Sequence, residues 1–303
     1  MIDMYYCGWD GGGSKTQVCA LHQDGTPMKT ADFGPLNLNG SSREIVGNTI
    51  ADCVRYMTTL PGGLEACLGL VIGMAGVSNQ RVTRLVEETV RKCGYTGPLK
   101  VLGDQEIALA GAVEGPGAVL IAGTGAICFG KDAEGKPFRC GGYGYLIDDG
   151  GSGYAIGRDI LIAVAHAEDG RGPVTCLTQG VYEFLHVSSI GEVITWLYNP
   201  DTGKKQIAAL APLLLKALEQ GDEAAKEIAS HAANDLAGLV VAAWRKTGMR
   251  GGEVALSGSI LKYYPVIRDD VLWRLREALP DTQFIEPRGS ASFGAAKLAM
   301  TAL

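Results

Sequence analysis

Ala118-Val119-Leu120-Ile121-Ala122-Gly123-Thr124-Gly125-Ala126-Ile127-Cys128-Phe129-Gly130-Lys131 is the stretch on which the fold turns. The apolar run Ala118–Ala122 reads as a buried strand, Gly123-Thr124-Gly125 as a turn, and Ala126–Lys131 as a second strand. Glu134-Gly135 then turns the chain into a third strand ending at Gly141-Gly142. The same order stands about a hundred residues earlier: strand Met4–Trp9, turn Gly11-Gly12-Gly13-Ser14, strand Thr16–Leu21, turn Asp24-Gly25, strand Met28–Phe33. A repeated strand–glycine turn–strand–acidic turn–strand unit indicates a duplicated module and two related domains.

Outward from these units, Ser42–Leu60 and Asn79–Cys93 have helical spacing, with Ser42 and Asn79 as N-caps. Cys67–Gly73 is a short apolar strand, and Leu99–Leu102 is another that runs through Gly103-Asp104 into a helix over Gln105–Val113. Helical patterns follow at Tyr154–Ala167, across Tyr182 to Tyr198, at Lys205–Glu219 and at Asp222–Lys246. A last strand, Glu253–Leu256, meets Ser257-Gly258-Ser259, and a helix closes the chain near Ala291–Ala302. The mixture places the chain in the α/β class, with the two lobes dividing near Ala112–Gly115.

Composition narrows the function. The 303 residues carry 27 Lys+Arg against 33 Asp+Glu, a net charge of −6 with no basic stripe, which argues against a nucleic-acid surface. An apolar share of 47% with 20% charged residues suits a soluble globular protein with a large core. Met1–Tyr6 shows no basic segment followed by an apolar one, and no apolar run nears the ~20 residues of a membrane span, so the expected place is the cytoplasm. The eight cysteines contain no C-x-x-C pair and the four histidines are scattered, which argues against zinc and iron–sulfur sites and for reduced, buried thiols. Trp9, Trp196, Trp244 and Trp273 read as core aromatics. The 43 glycines exceed the ordinary ~7% and gather at the ends of apolar runs, where backbone approaches a ligand closely.

Two nucleotide motifs fail. In a P-loop, Lys follows the last glycine directly; here Ser14 follows Gly13, Lys15 comes one residue late, and the chain enters a strand rather than a helix. The dinucleotide fingerprint fails because Cys128 and Ile147 stand where its third glycine belongs. What remains is two hairpin turns, Asp10–Ser14 and Gly123–Gly125, and a third glycine turn at Ser257-Gly258-Ser259. Each can offer backbone N–H groups to phosphate.

Asp10-Gly11-Gly12-Gly13-Ser14-Lys15-Thr16, Ala122-Gly123-Thr124-Gly125-Ala126 and Leu256-Ser257-Gly258-Ser259 resemble the phosphate-1, phosphate-2 and adenosine motifs of the actin/hexokinase/Hsp70 ATPase superfamily. Within it the chain looks like the BadF/BadG/BcrA/BcrD family, most of all its N-acetylglucosamine kinase branch. Gly34–Asn39, Gly103-Asp104, Gly141–Tyr154 and Gly289–Ala295 extend the likeness over nearly the whole chain. The resemblance implies two ribonuclease H-like lobes with a nucleotide cleft between them. The first lobe would span 1–113 and the second 114–289, with a terminal helix at about 290–303 returning to the first. It also implies ATP and Mg²⁺ as cofactors, a small sugar as partner, and a homodimer.

Carried onto this sequence, the resemblance makes Asp104 the catalytic base, taking the proton of the attacking hydroxyl. Read alone, Asp104 serves equally as an N-cap of the helix beginning at Gln105. Asp10 would sit near Mg²⁺ through water; otherwise it stabilises its own turn. Gly11, Gly12, Gly13, Ser14, Lys15, Gly123, Thr124, Gly125, Gly258 and Ser259 would hold the nucleotide, although Lys15 also reads as a solvated lysine. Asn37 and Asp149 would bind the sugar, with Gly76, Gly142 and Tyr143 lining its pocket; alone, Asn37 reads as a turn residue and Asp149 as a solvated loop acid. Asp148 and Gly150 flank Asp149 where the family pattern carries glycine and glutamate, which adds a charge beside the sugar residues.

The activity expected is phosphorylation of the 6-hydroxyl of N-acetylglucosamine, with glucosamine and N-acetylmuramic acid as further candidates. An alternative is an ATPase that activates a partner enzyme, like the 2-hydroxyacyl-CoA dehydratase activators. Those carry cluster cysteines beside the second turn, where this chain has only Cys128 and then Cys140. A third reading, a non-catalytic sugar sensor, predicts a damaged base or phosphate turn, whereas Asp104 and the three turns are intact.

Overall fold

Strands β1 (Tyr5–Gly11), β2 (Thr16–His22) and β3 (Pro27–Phe33) form an antiparallel meander in the computed structural model, which describes residues 3–38, 40–77 and 79–302. Met1, Ile2, Asn39, Ser78 and Leu303 lie outside the described residues, and with them the end of the Gly34–Asn39 motif and the first two residues of Met1–Tyr6. After α1 (Arg43–Thr58) the chain adds β4 (Cys67–Met74), α2 (Gln80–Lys92), β5 (Leu99–Gly103) and α3 (Asp104–Ala112). Both caps read from sequence hold: Ser42 accepts from the Ile45 N–H at 3.2 Å and Asn79 from the Arg81 N–H at 3.1 Å. β4 is apolar and buried almost throughout, as a central parallel strand must be. It pairs parallel with β1 and β5, giving a five-stranded sheet in the order β3-β2-β1-β4-β5.

The second sheet repeats this pattern. β6 (Gly117–Ala122), β7 (Ala126–Lys131) and β8 (Pro137–Gly141) form the meander. Helices α4 (Gly153–Glu168), α5 (Leu177–Leu185), α6 (Ile190–Leu197), α7 (Lys204–Ala208), α8 (Leu213–Glu219) and α9 (Glu223–Thr247) follow. β9 (Glu253–Ser257) pairs parallel with β6, and after α10 (Ser259–Tyr263) and α11 (Pro265–Ala278), β10 (Gln283–Ile285) pairs parallel with β9. The order β10-β9-β6-β7-β8 is the first sheet over again, so the protein is α/β with two mixed sheets of one topology.

Several sequence expectations need correction. The stretch Tyr182 to Tyr198 is two helices, separated where His186 takes a left-handed φ of 55°. Lys205–Glu219 is likewise two helices, because Pro212 supplies no N–H to continue the first. α10, α11 and β10 were not expected. Trp273 is 61% exposed on α11 and is no core aromatic, whereas Trp9 and Trp244 are fully buried.

The chain divides into two compact units, one of Met1–Glu114 with Pro287–Leu303 and one of Gly115–Glu286. In the first, the terminal helix α12 (Ala291–Ala302) lies on α3 and β1. The contact is made by small residues: Gly8 faces the Ala296 backbone and Gly294 faces the Gly111 backbone, and a side chain on either glycine would collide. A core on β1, β4 and α1 holds this unit, and a core built on α4, α9 and the β6 sheet holds the other. All eight cysteines are free, five of them buried, and among the described residues no helix is long and apolar enough to cross a membrane.

Candidate active site

In the first unit the functional residues gather at the carboxyl ends of three adjacent parallel strands. Gly11 of β1 pairs with Met74 of β4, and Met74 with Gly103 of β5, so these residues stand in one row. Asp10 stands one residue before the row and Asp104 one residue after it, while Gly76 follows β4 with a φ of 84°. Open α/β sheets bind ligands at this edge. The phosphate-1 turn closes with the Gly12 N–H donating to the Lys15 carbonyl at 2.9 Å. The Leu36 N–H donates to the Gly12 carbonyl at 3.0 Å, which draws the segment after β3 alongside the turn. Asn37 arrives there with it: a Cβ on Gly13 would lie 3.6 Å from its Nδ2.

The N-cap of α3 is Gly103, not Asp104. Asp104 is the first residue of the helix, and its Oδ1 accepts from the adjacent Gln105 N–H at 2.9 Å. The cap geometry goes instead to Glu106, which accepts the Gly103 N–H at 3.1 Å. Asp104 is exposed to solvent, yet enough protein stands around its carboxylate for desolvation to raise its pKa. Asp10 is pushed up to about 6, first by burial and then by the charge of Asp104, with Lys15 pulling the other way. Lys15 points toward β3, where its Nζ donates to Asp32 at 2.9 Å. Ser14 is exposed at the turn tip.

In the second unit the phosphate-2 turn is one residue shorter. The Gly123 N–H donates to the Gly125 carbonyl at 2.9 Å, and Thr124 is exposed at the apex. The Gly153 N–H, at the start of α4, donates to the Gly123 carbonyl at 2.7 Å, tying the turn to that helix. Gly258 has a φ of 96°, and a Cβ there would strike the Ala122 carbonyl, so only glycine lets the adenosine motif settle on the base of the turn. Ser259, next in the chain, is exposed.

The loop after β8 is more ordered than its glycine content suggests. Asp148, the extra charge noted in sequence, accepts the Tyr143 N–H at 3.0 Å and closes the loop on itself. Arg139 donates to the Gly142 carbonyl at 3.0 Å and lies 4.5 Å from the centre of the Tyr143 ring, which is itself well exposed. Asp149 is not a solvated loop acid. It is 3% exposed with a φ of 66°, accepts the Ala126 N–H at 3.1 Å, and pairs with Lys204 at 2.6 Å. Lys204 was not singled out from sequence: it lies 55 residues from Asp149, and only the position of α7 brings it in. Cys128 and Cys140, distant in sequence, are cross-strand partners in β7–β8. Burial raises both thiols, Cys128 far above the usual range, and so opposes the thiolate form that a cluster needs.

Known proteins sharing this arrangement point one way. A family model described as the BadF/BadG/BcrA/BcrD ATPase family matches residues 7–298. An N-acetylmuramic acid/N-acetylglucosamine kinase of Clostridium acetobutylicum is 33% identical over 299 residues, covering 97% of this chain and 98% of its own. An N-acetyl-D-glucosamine kinase of Dictyostelium discoideum is 31% identical over 310 residues, covering 97% of each chain. Among solved structures, a protein of Chromobacterium violaceum provisionally assigned as an N-acetylglucosamine kinase superposes with a TM-score of 0.78 at 26% identity, covering 98% of this chain and 99% of its own.

Proposed function

The chain belongs to the BadF/BadG/BcrA/BcrD ATPase family, and from that premise we propose that it is an ATP-dependent amino-sugar kinase acting on the 6-hydroxyl of N-acetylglucosamine. The observation that carries this reading is Asp104. Its carboxylate stands at the carboxyl edge of β5 beside the phosphate-1 turn; Oδ1 takes its neighbour's N–H, and the carboxylate's further lone pairs can accept a hydroxyl proton. A pKa raised by burial makes it a stronger base, which suits proton removal during phosphoryl transfer. The names of the two relatives supply the sugar class, and N-acetylmuramic acid stands as a second substrate.

The remaining roles follow the units. In the first, the amides of Gly11, Gly12 and Gly13 with the Ser14 hydroxyl would hold phosphate, and Asn37 and Gly76 would face the sugar. In the second, Gly123, Thr124 and Gly125 would hold phosphate, Gly258 and Ser259 the adenosine end, and Gly142 and Tyr143 the sugar. A hard divalent cation fits the Asp10 edge, where burial and the nearby Asp104 carboxylate raise the proton affinity of Asp10 more than Lys15 lowers it. Mg²⁺ bound there through water would neutralise charge on the transferring phosphoryl group. Asp104 takes the hydroxyl proton as the oxygen attacks the γ-phosphate, and the turn amides orient the phosphates in line.

ADP release under Mg²⁺-ATP, measured against N-acetylglucosamine, N-acetylmuramic acid, glucosamine, N-acetylmannosamine and glucose, tests the proposal. Release should require sugar, be fastest with N-acetylglucosamine or N-acetylmuramic acid, and fall by about 10²–10⁴-fold in Asp104→Asn, which should still bind ATP. ADP formed equally without sugar, or an unaffected Asp104→Asn, would overturn it.

A further inference from the structure

Lys204 comes to the phosphate-2 turn from outside every recognised motif. It opens α7, a five-residue helix locked onto α4: Ile207 presents its carbonyl to Gly157, and Ala208 lies beside Gly153. From that base the Lys204 ammonium reaches the one face of the turn that carries no side chain. A Cβ on Gly125 would stand 2.8 Å from Nζ and 3.0 Å from Asp149 Oδ2, so the cation and its partner occupy the space that glycine leaves beside the turn backbone.

Asp149 holds both parts. Its Oδ1 accepts the Ala126 N–H, the first amide after the turn, and its Oδ2 takes the ammonium at 2.6 Å. The Tyr145 ring lies 5.8 Å from the same ammonium. The Asp149 carboxylate is shared between turn and lysine, with only 4% of that side chain exposed. Lys204 keeps 30% of its side chain in solvent and spends one of its three N–H donors on Asp149. A nearly buried ion pair of this kind adds little net stability, because desolvation offsets the attraction. Its location is the informative part: a cation with donors to spare stands against a glycine turn whose amides attract anions.

We propose that Lys204 is the phosphate-binding cation of the nucleotide site, and that Asp149 positions it. The proposal rests on the kinase reading only in taking ATP as the ligand. During the reaction Lys204 stabilises charge on the nucleotide's phosphates, while Asp149 keeps the ammonium and the turn in register.

Calorimetric binding of ATP, ADP, AMP and adenosine, without sugar, separates this role from a merely structural one. Lys204→Met should weaken ATP about 10- to 100-fold, ADP less, and adenosine by under about twofold, with Lys204→Arg recovering most of the loss. Asp149→Asn, which takes the partner charge from the ammonium, should raise the KM for ATP. A wild-type measurement avoids reliance on variant folding: ATP and ADP, but not adenosine, should protect Lys204 from amine acylation read by mass spectrometry. Equal loss of ATP and adenosine binding, no loss of either, an unchanged KM for ATP in Asp149→Asn, or acylation indifferent to ATP would each overturn the proposal. Because binding is read without turnover, ATP that binds wild type normally but never phosphorylates a sugar would sink the kinase reading alone.

Discussion

The phosphate-1 and phosphate-2 turns occupy the same place in two copies of one sheet, yet their chemistry is opposite. The last ladder pair before each turn is Gly11 with Thr16 in the first unit and Ala122 with Ala126 in the second. One step further back, Asp10 faces Gln17 in the first copy, whereas Ile121 faces Ile127 in the second. The first turn therefore stands over an acid, with a second acid at Asp104 and its own lysine drawn off to Asp32. The second stands over aliphatic side chains and receives a lysine from a distant helix, held by a buried acid. Duplication kept the turn backbone, and divergence split the charges: in the proposed site one copy suits a metal and a base, the other an anion.

Filling the empty face of the second turn breaks this contrast most directly. Gly125→Ala puts a methyl group where Lys204 Nζ and Asp149 Oδ2 now lie. The flexible lysine end yields first, so ATP affinity should fall by about tenfold, with the destabilisation of about 1 kcal/mol usual for mild overpacking. Gly13→Ala meets nothing closer than 3.6 Å, so its stability should hardly change and its ATP affinity should fall by less than in Gly125→Ala. Nucleotide titration and thermal unfolding of the two variants side by side measure the difference, and equal effects would show that Lys204 is not what makes the second turn sensitive.

What the sequence disclosed follows the same division between local and distant causes. The duplicated meander was legible because Ala118–Ala122 and Gly123–Gly125 are consecutive, and Ser42 and Asn79 cap the helices that begin directly after them. Asp104 was legible as the residue on which β5 passes into α3, although its reading as a cap failed: the cap lies one residue earlier, on Gly103. Pro265 at the first position of α11 was an available start signal that went unread. β10, at three residues, was too short to carry a period. Neither the Lys204–Asp149 pair nor the Cys128–Cys140 pairing has a local signature, because each depends on how later elements return to the β6 sheet.

The acid beneath the first turn makes a pH-dependent prediction. Asp10 binds its proton more tightly folded, near 6, than its ordinary value of 3.8. Between those values the folded state holds more protons than the unfolded one, so this group lowers stability as pH rises through the window, fully above about 6. Without Mg²⁺, Asp10→Asn should match wild type near pH 4 and exceed it increasingly up to pH 7. The gain should approach 1–2 kcal/mol, under the ~3 kcal/mol ceiling for two pKa units because the side chain is partly exposed. The ATP-turnover limb of wild type should fall in the same acid range, since both the base and the proposed metal residue must be ionised. A Tm difference between Asp10→Asn and wild type that is flat from pH 4 to 7 would remove the acid from this account.

Lys15 should matter least, although it is the lysine inside a phosphate motif. Its ammonium and the Asp32 carboxylate meet at 2.9 Å with side chains 59% and 52% exposed, and such surface pairs contribute less than about 1 kcal/mol. The pair also turns Lys15 toward β3, and Asp32, its proton affinity lowered by that bond, has no reason to release it. Lys15→Met is therefore expected to shift Tm by a degree or two and the KM for ATP by no more than about threefold, far less than Lys204→Met. Steady-state ATP titration of the two variants ranks them. If Lys15→Met proves the more damaging, the first turn carries the phosphate charge after all, and the division of labour between the two copies runs the other way.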